Sequence, residues 1–359
     1  MEFKITEKKD EKRLDKFLSL KFPAQSRAFL KFQIKDGIFL VNNEIKKPSY
    51  ELKENDIISF DKKNIQNQST AKIEPNPEIK LDVIHEDDDV IVLNKPAGIS
   101  VHPRQDKLGL PLAKESKNTL VSALLAHYPA IASVGDNPLL RPGLVHRLDK
   151  DTSGVMIVAK NQKSFEWLKN QFKEKLARKK YIALVSGRSE EDEGIIRTFL
   201  TRSKSDPSKQ KVVAMEAAIL PSSRGGLRRG NSNSELITSP YPLLEKERGR
   251  LREAITEYKV VKKFSDFSLI EAFPKTGRLH QIRAHFAWLG NPVAGDKKYS
   301  DKTRPIPPGL ERQFLHAQEL QIALPDSPNG EKKRFYSELP DDLKIVLDNL
   351  DKPGRGLKD

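Results

Sequence analysis

Two segments of the chain carry residues whose types and spacing suit chemistry. The first is RPGLVHRLDKDTSGVMIVAK, residues 141 to 160. Its Arg-Leu-Asp turn stands just before a Thr-Ser-Gly element and a β-branched run, which puts Asp149 on a tight loop at the mouth of a strand. Rigid scaffolds often present catalytic side chains from such loops. Thr152 and Ser153 offer hydroxyls and N–H groups to hold the loop, and Gly154 permits close packing. On residue types alone, an Asp that merely stabilises the turn explains the pattern as well. The second segment is KTGRLHQIRAHFAWLG, residues 275 to 290. Read as a helix from Arg278 to Leu289 and ended by Gly290, it puts Leu279 and Arg283 on one face. Beside them runs a buried stripe of Ile282, Phe286 and Leu289. An Arg bordering such a stripe requires a carboxylate or phosphate partner, and a structural salt bridge would meet that need.

Other chemistries lack their residues. Cysteine is absent, which excludes disulfides, thiolate nucleophiles and Cys-ligated zinc. His280 and His285 are five apart, not the four that aim two imidazoles at one ion from a single helix. His146 and Asp149 have no third ligand nearby in sequence. No GxxxxGK[ST] or GxGxxG loop offers a phosphate cradle, and no GxSxG elbow presents a serine nucleophile. No metal and no cofactor is expected.

The elements that must position these residues fall into two groups. Residues 1–62 read as a small α+β unit. Leu14, Phe17 and Leu18 recur at helical spacing, and a second helix capped by Ser26 buries Phe29, Leu30 and Ile34 before Gly37. Phe39 and Val41 alternate into an Asn42-Asn43 turn, and Ile57, Ile58 and Phe60 supply another strand. Residues 63–78 are polar and read as a linker. From 79 to 348 strands and helices intersperse, which fits an α+β domain with a mixed or antiparallel sheet. Within it, residues 203–253 are rich in Ser, Gly, Pro, Arg and Lys and are expected to form a largely disordered insertion, or else a basic arm on RNA backbone. A flexible tail is expected over 349–359. The net charge of +14 makes a polyanion the first partner to consider. The charged start, Met1 to Arg13, shows no secretory signal and no apolar run reaches ~18 residues, so a cytoplasmic monomer away from any membrane is expected.

Taken together, these segments resemble the RluA family of pseudouridine synthases. HRLDKDTSG (146–154) resembles the signature around that family's catalytic Asp, RKKYIALVSG (178–187) its second motif, and TGRLHQIRAH (276–285) its third. NKPAGISVHP (94–103), GDKKYS (295–300) and RQFLHAQEL (312–320) follow in the expected order. RLDKFL (13–18), SRAFLKFQIKDGIFLVNN (26–43) and KENDIISF (53–60) are similar to an S4 RNA-binding domain, with Asn43 and Asn55 where that domain often has Gly.

The resemblance implies an enzyme that isomerises uridine in RNA, with Asp149, Tyr181 and Arg283 as its catalytic residues. A carboxylate suits this reaction because it can attack C1′ as a nucleophile or remove the 2′ proton as a base. Arg283 would pair with Asp149 and keep it charged in a closed pocket. Tyr181 would place its ring against a flipped uracil, unless it is simply a core aromatic. Arg147 would fill the vacated stack or hold phosphate, while Arg13, Arg27, Lys31 and Lys35 would face RNA from the S4 unit. Large-subunit (23S) ribosomal RNA is the expected substrate and transfer RNA the alternative. A non-catalytic ribosome-assembly protein and a metal-dependent nuclease are the competing classes.

Overall fold

The computed structural model describes residues 1–6, 13–22, 27–61, 73–104, 112, 115–220, 251–301, 303–327 and 330–351. The described chain groups into two compact units, one made of Met1–Lys80 with Val101–Gly143, the other of Leu81–Ser100 with Leu144–Asp359. The first unit thus takes in Val101–Gly143, which lies beyond the boundary expected near residue 79. Part of the reason is local, since Asn76 donates from its backbone to Ser122 and from its side chain to the Lys117 carbonyl.

In the first unit, β1 (Glu2–Lys4), β3 (Ile57–Phe60) and β2 (Phe39–Val41) form an antiparallel sheet in that order. Two helices, α1 (Leu14–Lys21) and α2 (Arg27–Lys35), share a core with it. Leu14, Leu18, Leu30 and Ile34 are fully buried there, as their helical spacing requires, together with Phe39, Val41 and Ile58. Asn42, Asn43 and Asn55 all adopt left-handed backbone, with φ of 52°, 63° and 68°. Asn tolerates that region better than most residues, so it serves where glycine would otherwise stand. The expected cap Ser26 lies outside the described residues. The helix α3 (Leu120–His127) completes the unit; its cap Thr119 accepts from the Ser122 N–H at 3.2 Å.

The second unit is built on a ten-stranded sheet. Its order runs β4 (Asp82–Glu86), β5 (Val90–Lys95), β6 (Ser153–Ala159), β12 (Leu315–Ala323), β7 (Arg178–Ser186), β11 (Phe267–Pro274), β10 (Arg252–Lys263), β8 (Glu193–Arg202), β9 (Gln210–Leu220). The last strand, β13 (Lys332–Tyr336), pairs with β12. All of these pairings are antiparallel except β6 with β12, so the α+β class with a mixed sheet is what the chain forms. The helices are α4 (Gln162–Lys173), α5 (Gln281–Trp288) and α6 (Asp341–Asp351). Val90 to Leu93 and Met156 to Ala159 are fully buried, as continuous apolar runs demand.

Two expectations need correction. The stretch expected to be structureless from residue 203 contains β9, which pairs with β8 through Arg202↔Gln210 to Ile195↔Leu220. The apolar Val212 and Val213 lie within a Lys-rich sequence that masked their strand character, and Asp206 closes the turn by accepting from the Ser208 N–H at 2.9 Å. Residues 221–250 and the tail from 352 lie outside the described residues. The helix expected from Arg278 begins only at Gln281, so Leu279 shares no helical face with Arg283. The cause is the Gln281 side chain, whose oxygen accepts from the Arg278 N–H at 3.0 Å and the Thr276 hydroxyl at 2.6 Å, folding 276–280 into a turn.

One glycine fixes how the strands meet. Gly154, at φ +118°, opens β6 against β12, and a Cβ there would stand 2.1 Å from the Ala317 carbonyl oxygen. Backbone cannot move aside cheaply, and the conformation is itself costly for an L side chain. Gly154→Ala is therefore expected to lower unfolding stability by on the order of 3 kcal/mol or more in chemical denaturation, whereas Asn43→Gly should stay within about 0.5 kcal/mol.

Candidate active site

The second unit brings three sequence-distant segments together around one guanidinium. Arg283 is buried on α5. Its Nη1 donates to Asp149 Oδ2 at 2.8 Å, while Nε and Nη2 donate to the two oxygens of Asp296 at 2.6 and 2.8 Å. Asp296 is itself fully enclosed and also accepts from the Lys298 and Tyr299 N–H groups. Burial opposes the charge on Arg283. The hydrogen bonds to Asp296 and the charge of Asp149 more than offset that and hold the guanidinium above its ordinary range.

The loop carrying Asp149 is braced from below. Lys95, at the end of β5 and fully buried, donates from Nζ to the carbonyls of Pro96 at 2.6 Å and Lys150 at 3.0 Å. Gly98 N–H reaches the same Lys150 carbonyl, and Thr152 N–H returns to the Asp149 carbonyl at 3.2 Å. Burial pulls the Lys95 ammonium down to about 7, against the charges of Asp151 and Asp149. The Thr152 hydroxyl accepts from Gln313 at 2.7 Å, and Ser153 lies 3.0 Å from His316 Nδ1.

On the other side of the carboxylate, His280 stands at φ 54°, a left-handed conformation uncommon for a residue with a side chain. Its Nε2 is 3.8 Å from Asp149 Oδ1, and its Nδ1 is 3.0 Å from the Tyr299 hydroxyl. That hydroxyl also accepts from the Gln210 N–H at 2.7 Å. Burial lowers the proton affinity of the imidazole, with Asp149 opposing it and Arg283 and Lys298 adding to the effect. Burial also pushes the Tyr299 hydroxyl up to about 12. The Arg283 guanidinium lies 5.3 Å from the centre of the Tyr299 ring. Asp149 thus has one oxygen bonded to Arg283 and the other facing His280 Nε2 at longer range.

Tyr181 lies on β7 close enough for the Asp149 charge to act on it; burial first, and that charge second, raise its hydroxyl above the ordinary value. Among the described residues the hydroxyl has no hydrogen-bond partner, while the ring packs on the core that includes Ala183, Ile282 and Phe286. Arg147 is exposed two residues before Asp149. His146, weighed earlier as a metal ligand, is occupied otherwise: its Nε2 accepts from the Ile157 N–H at 3.0 Å and its ring stacks on Phe172 at 4.6 Å. Among the described residues no group of three or more His, Asp or Glu side chains is placed to hold a metal ion.

Arg13, Arg27, Lys31 and Lys35 belong to the other unit. Arg13 and Lys31 converge on the buried Asp15 at 3.1 and 3.4 Å, which gives both a structural task. Lys35 is exposed, and the Arg27 side chain lies outside what the structure describes. Sequence reasoning missed Asp296, His280, Tyr299 and Lys95 as site residues. All four stand in the quoted motif segments, where their carboxylate, imidazole, phenol and ammonium were the available signal.

The site is thus a braced carboxylate beside a buried guanidinium and an aromatic ring, on a mixed sheet in a chain that also carries a separate α+β unit. The family model for RNA pseudouridylate synthase matches residues 89–288, and that for the S4 domain matches residues 12–58. The chain belongs to the RNA pseudouridylate synthase family and is an RNA pseudouridine synthase, an isomerase, with an N-terminal S4 domain. An uncharacterized RNA pseudouridine synthase of Bacillus subtilis is 33% identical over 349 residues, 97% of each chain. The ribosomal large subunit pseudouridine synthase D of Borreliella burgdorferi is 33% identical over 368 residues, 96% of each. The human RNA pseudouridylate synthase domain-containing 4 structure shares the fold at a TM-score of 0.51 and 24% identity, covering 75% of this chain and 92% of that one. No helix among the described residues is long and apolar enough to cross a membrane.

Two outcomes test the electrostatics of the site. Asp296→Leu leaves the buried guanidinium with one partner and is expected to cost about 3–5 kcal/mol of stability in urea unfolding. His285, fully buried between the hydroxyls of Thr198 and Thr256 at 3.0 and 2.9 Å, is held down at about 4 by burial. Its folded value lies below the unfolded 6.5, so its contribution is complete above pH 6.5 and is lost as pH falls toward 4. Stability measured across that window should fall by up to about 1.4 kcal/mol per pH unit more in wild type than in His285→Gln.

Proposed function

We propose that the chain isomerises uridine in large-subunit ribosomal RNA, with Asp149 as the catalytic carboxylate. The observation that carries this is the Arg283–Asp149 pair at 2.8 Å, in which one carboxylate oxygen stays clear of the guanidinium. The reaction breaks C1′–N1, forms C1′–C5, releases the C5 proton and adds a proton at N1. Attack on C1′ and removal of the 2′ proton both need a carboxylate lone pair directed at the sugar, and Oδ1 supplies it. Arg283 fixes the carboxylate's orientation and stays charged throughout. Tyr181 offers a ring face for the flipped uracil and a hydroxyl that stays protonated, able to donate to the base.

Outside the pocket, Arg147 is suited to the space the uridine vacates. Lys35 is the S4 side chain we assign to RNA backbone, with Arg13 and Lys31 reaching it as members of the Asp15 cluster. The ribosomal substrate is supported by the S4 match and by the name of the Borreliella relative, and a cytoplasmic location goes with that reading.

The test is tritium release from RNA labelled at uridine C5, with ribosomal and transfer RNA assayed separately. Wild type should release tritium from ribosomal RNA, and Asp149→Asn should lose on the order of 10³-fold or more in rate while binding as before. Release from transfer RNA alone would overturn the substrate. Binding without release from either RNA would favour the assembly-factor reading.

A further inference from the structure

Lys179 and Arg278 are cations that the carboxylate site leaves unused. Both are half-buried. Lys179 precedes Tyr181 by two residues on β7, so the two side chains leave the same face of the strand about 7 Å apart. Lys179 Nζ donates to the Thr276 carbonyl at 3.3 Å, and Arg278 Nε to the Glu253 carbonyl at 3.0 Å. Among the described residues neither forms an ion pair. The carboxylate of Glu253 is already taken by Arg197 at 2.7 Å and Lys175 at 3.7 Å. Arg252 adds further positive charge beside Arg278.

The Glu253 charge acts on Arg278 but is shared with Arg197 and Lys175, and enclosing two like charges is unfavourable unless a further anion sits with them. Burial first, and then Arg278, pull the Lys179 ammonium down to about 8. Gly277 lies between them in sequence and is exposed, with Lys179 Nζ 3.8 Å from where its Cβ would be. Among the described residues its N–H donates to no protein group. The Lys179 ammonium therefore stands beside Gly277, whose neighbour in sequence is the second cation, Arg278. The Lys179 charge also acts on His146, three residues before Asp149.

We propose that Lys179, Arg278 and the Gly277 N–H form a phosphate-binding site that takes the phosphodiester flanking the target uridine. This rests on the reading of Asp149 and Tyr181 as the uridine pocket. Lys179 stands about one nucleotide's length from Tyr181, so the contact fixes the sugar of the flipped residue relative to Asp149.

The experiment measures binding of a 23S ribosomal RNA fragment over a range of salt concentrations. Lys179→Gln and Arg278→Gln should each flatten the slope of log affinity against log salt by about 0.7–0.9, Lys179→Arg should restore it, and Lys344→Gln on α6 should leave it unchanged. A second arm scans a short RNA with one neutral methylphosphonate linkage at a time. Neutralising the linkage next to the target uridine should cost wild type about ten-fold in affinity and Lys179→Gln, which keeps Arg278, clearly less. An unaltered slope, or a methylphosphonate loss equal in wild type and variant, would overturn the site. If Lys179→Gln does not fold, the scan on wild type decides: a loss spread evenly over all linkages sinks the proposal. Because the readout is binding, absent tritium release would count against the synthase reading alone.

Discussion

The guanidinium of Arg283 is the constraint on which the active-site region depends. A charge so enclosed survives only where carboxylates meet its fork, and two do, from segments far apart in sequence. Asp296 takes the bidentate contact and has no exposure left, so its work is to hold Arg283 in place. Asp149 takes the remaining N–H and keeps partial access to solvent. The asymmetry divides one ionic cluster into a structural carboxylate and a reactive one. Two carboxylates on one cation also leave a net negative charge at the oxygen that faces outward.

Holding that cluster requires the sheet to deliver its loops accurately. β6 and β12 run parallel where every neighbouring pair is antiparallel, and they meet at Gly154 without room for a side chain. The loop before β6 carries Asp149, and the chain entering β12 carries Arg312, which bonds the Asp151 carbonyl at 3.1 Å, and Gln313, which holds Thr152. Lys95 closes the arrangement from β5 with an ammonium spent on backbone carbonyls. Its burial lowers its proton affinity, while the charges of Asp151 and Asp149 act in the opposite sense.

Much of this was legible in the sequence, and the limits have physical causes. Continuous apolar runs such as Val90–Leu93 announced buried strands because both faces of a central strand are covered. Arg283 was visible as an Arg beside an apolar stripe, but its partners were not, since periodicity is local and Asp149 lies 134 residues away. The helix start was misplaced because a single side chain, Gln281, competes with the backbone for the preceding turn. β9 escaped because the Ser- and Lys-containing run just before it, residues 203–209, coloured the reading of the whole stretch, although β9 itself is largely apolar. His280 stood in a quoted motif, yet its left-handed backbone was unreadable without the fold that enforces it.

That enforced conformation has a consequence for how the site is ordered. A left-handed residue at the start of α5 persists only where its surroundings over-determine it. Here they are the Tyr299 hydroxyl, itself set by the Gln210 N–H at the first residue of β9. A run of contacts leads from the Gln210 N–H to the Tyr299 hydroxyl to His280, whose Nε2 faces the open oxygen of Asp149. The β8–β9 hairpin, whose sequence reads as a spacer, is therefore joined through two side chains to the carboxylate. At 3.8 Å the last step is too long for a hydrogen bond, so His280 polarises Oδ1 without occupying it. An oxygen so placed keeps its lone pair for the sugar while its partner oxygen is held fast by Arg283.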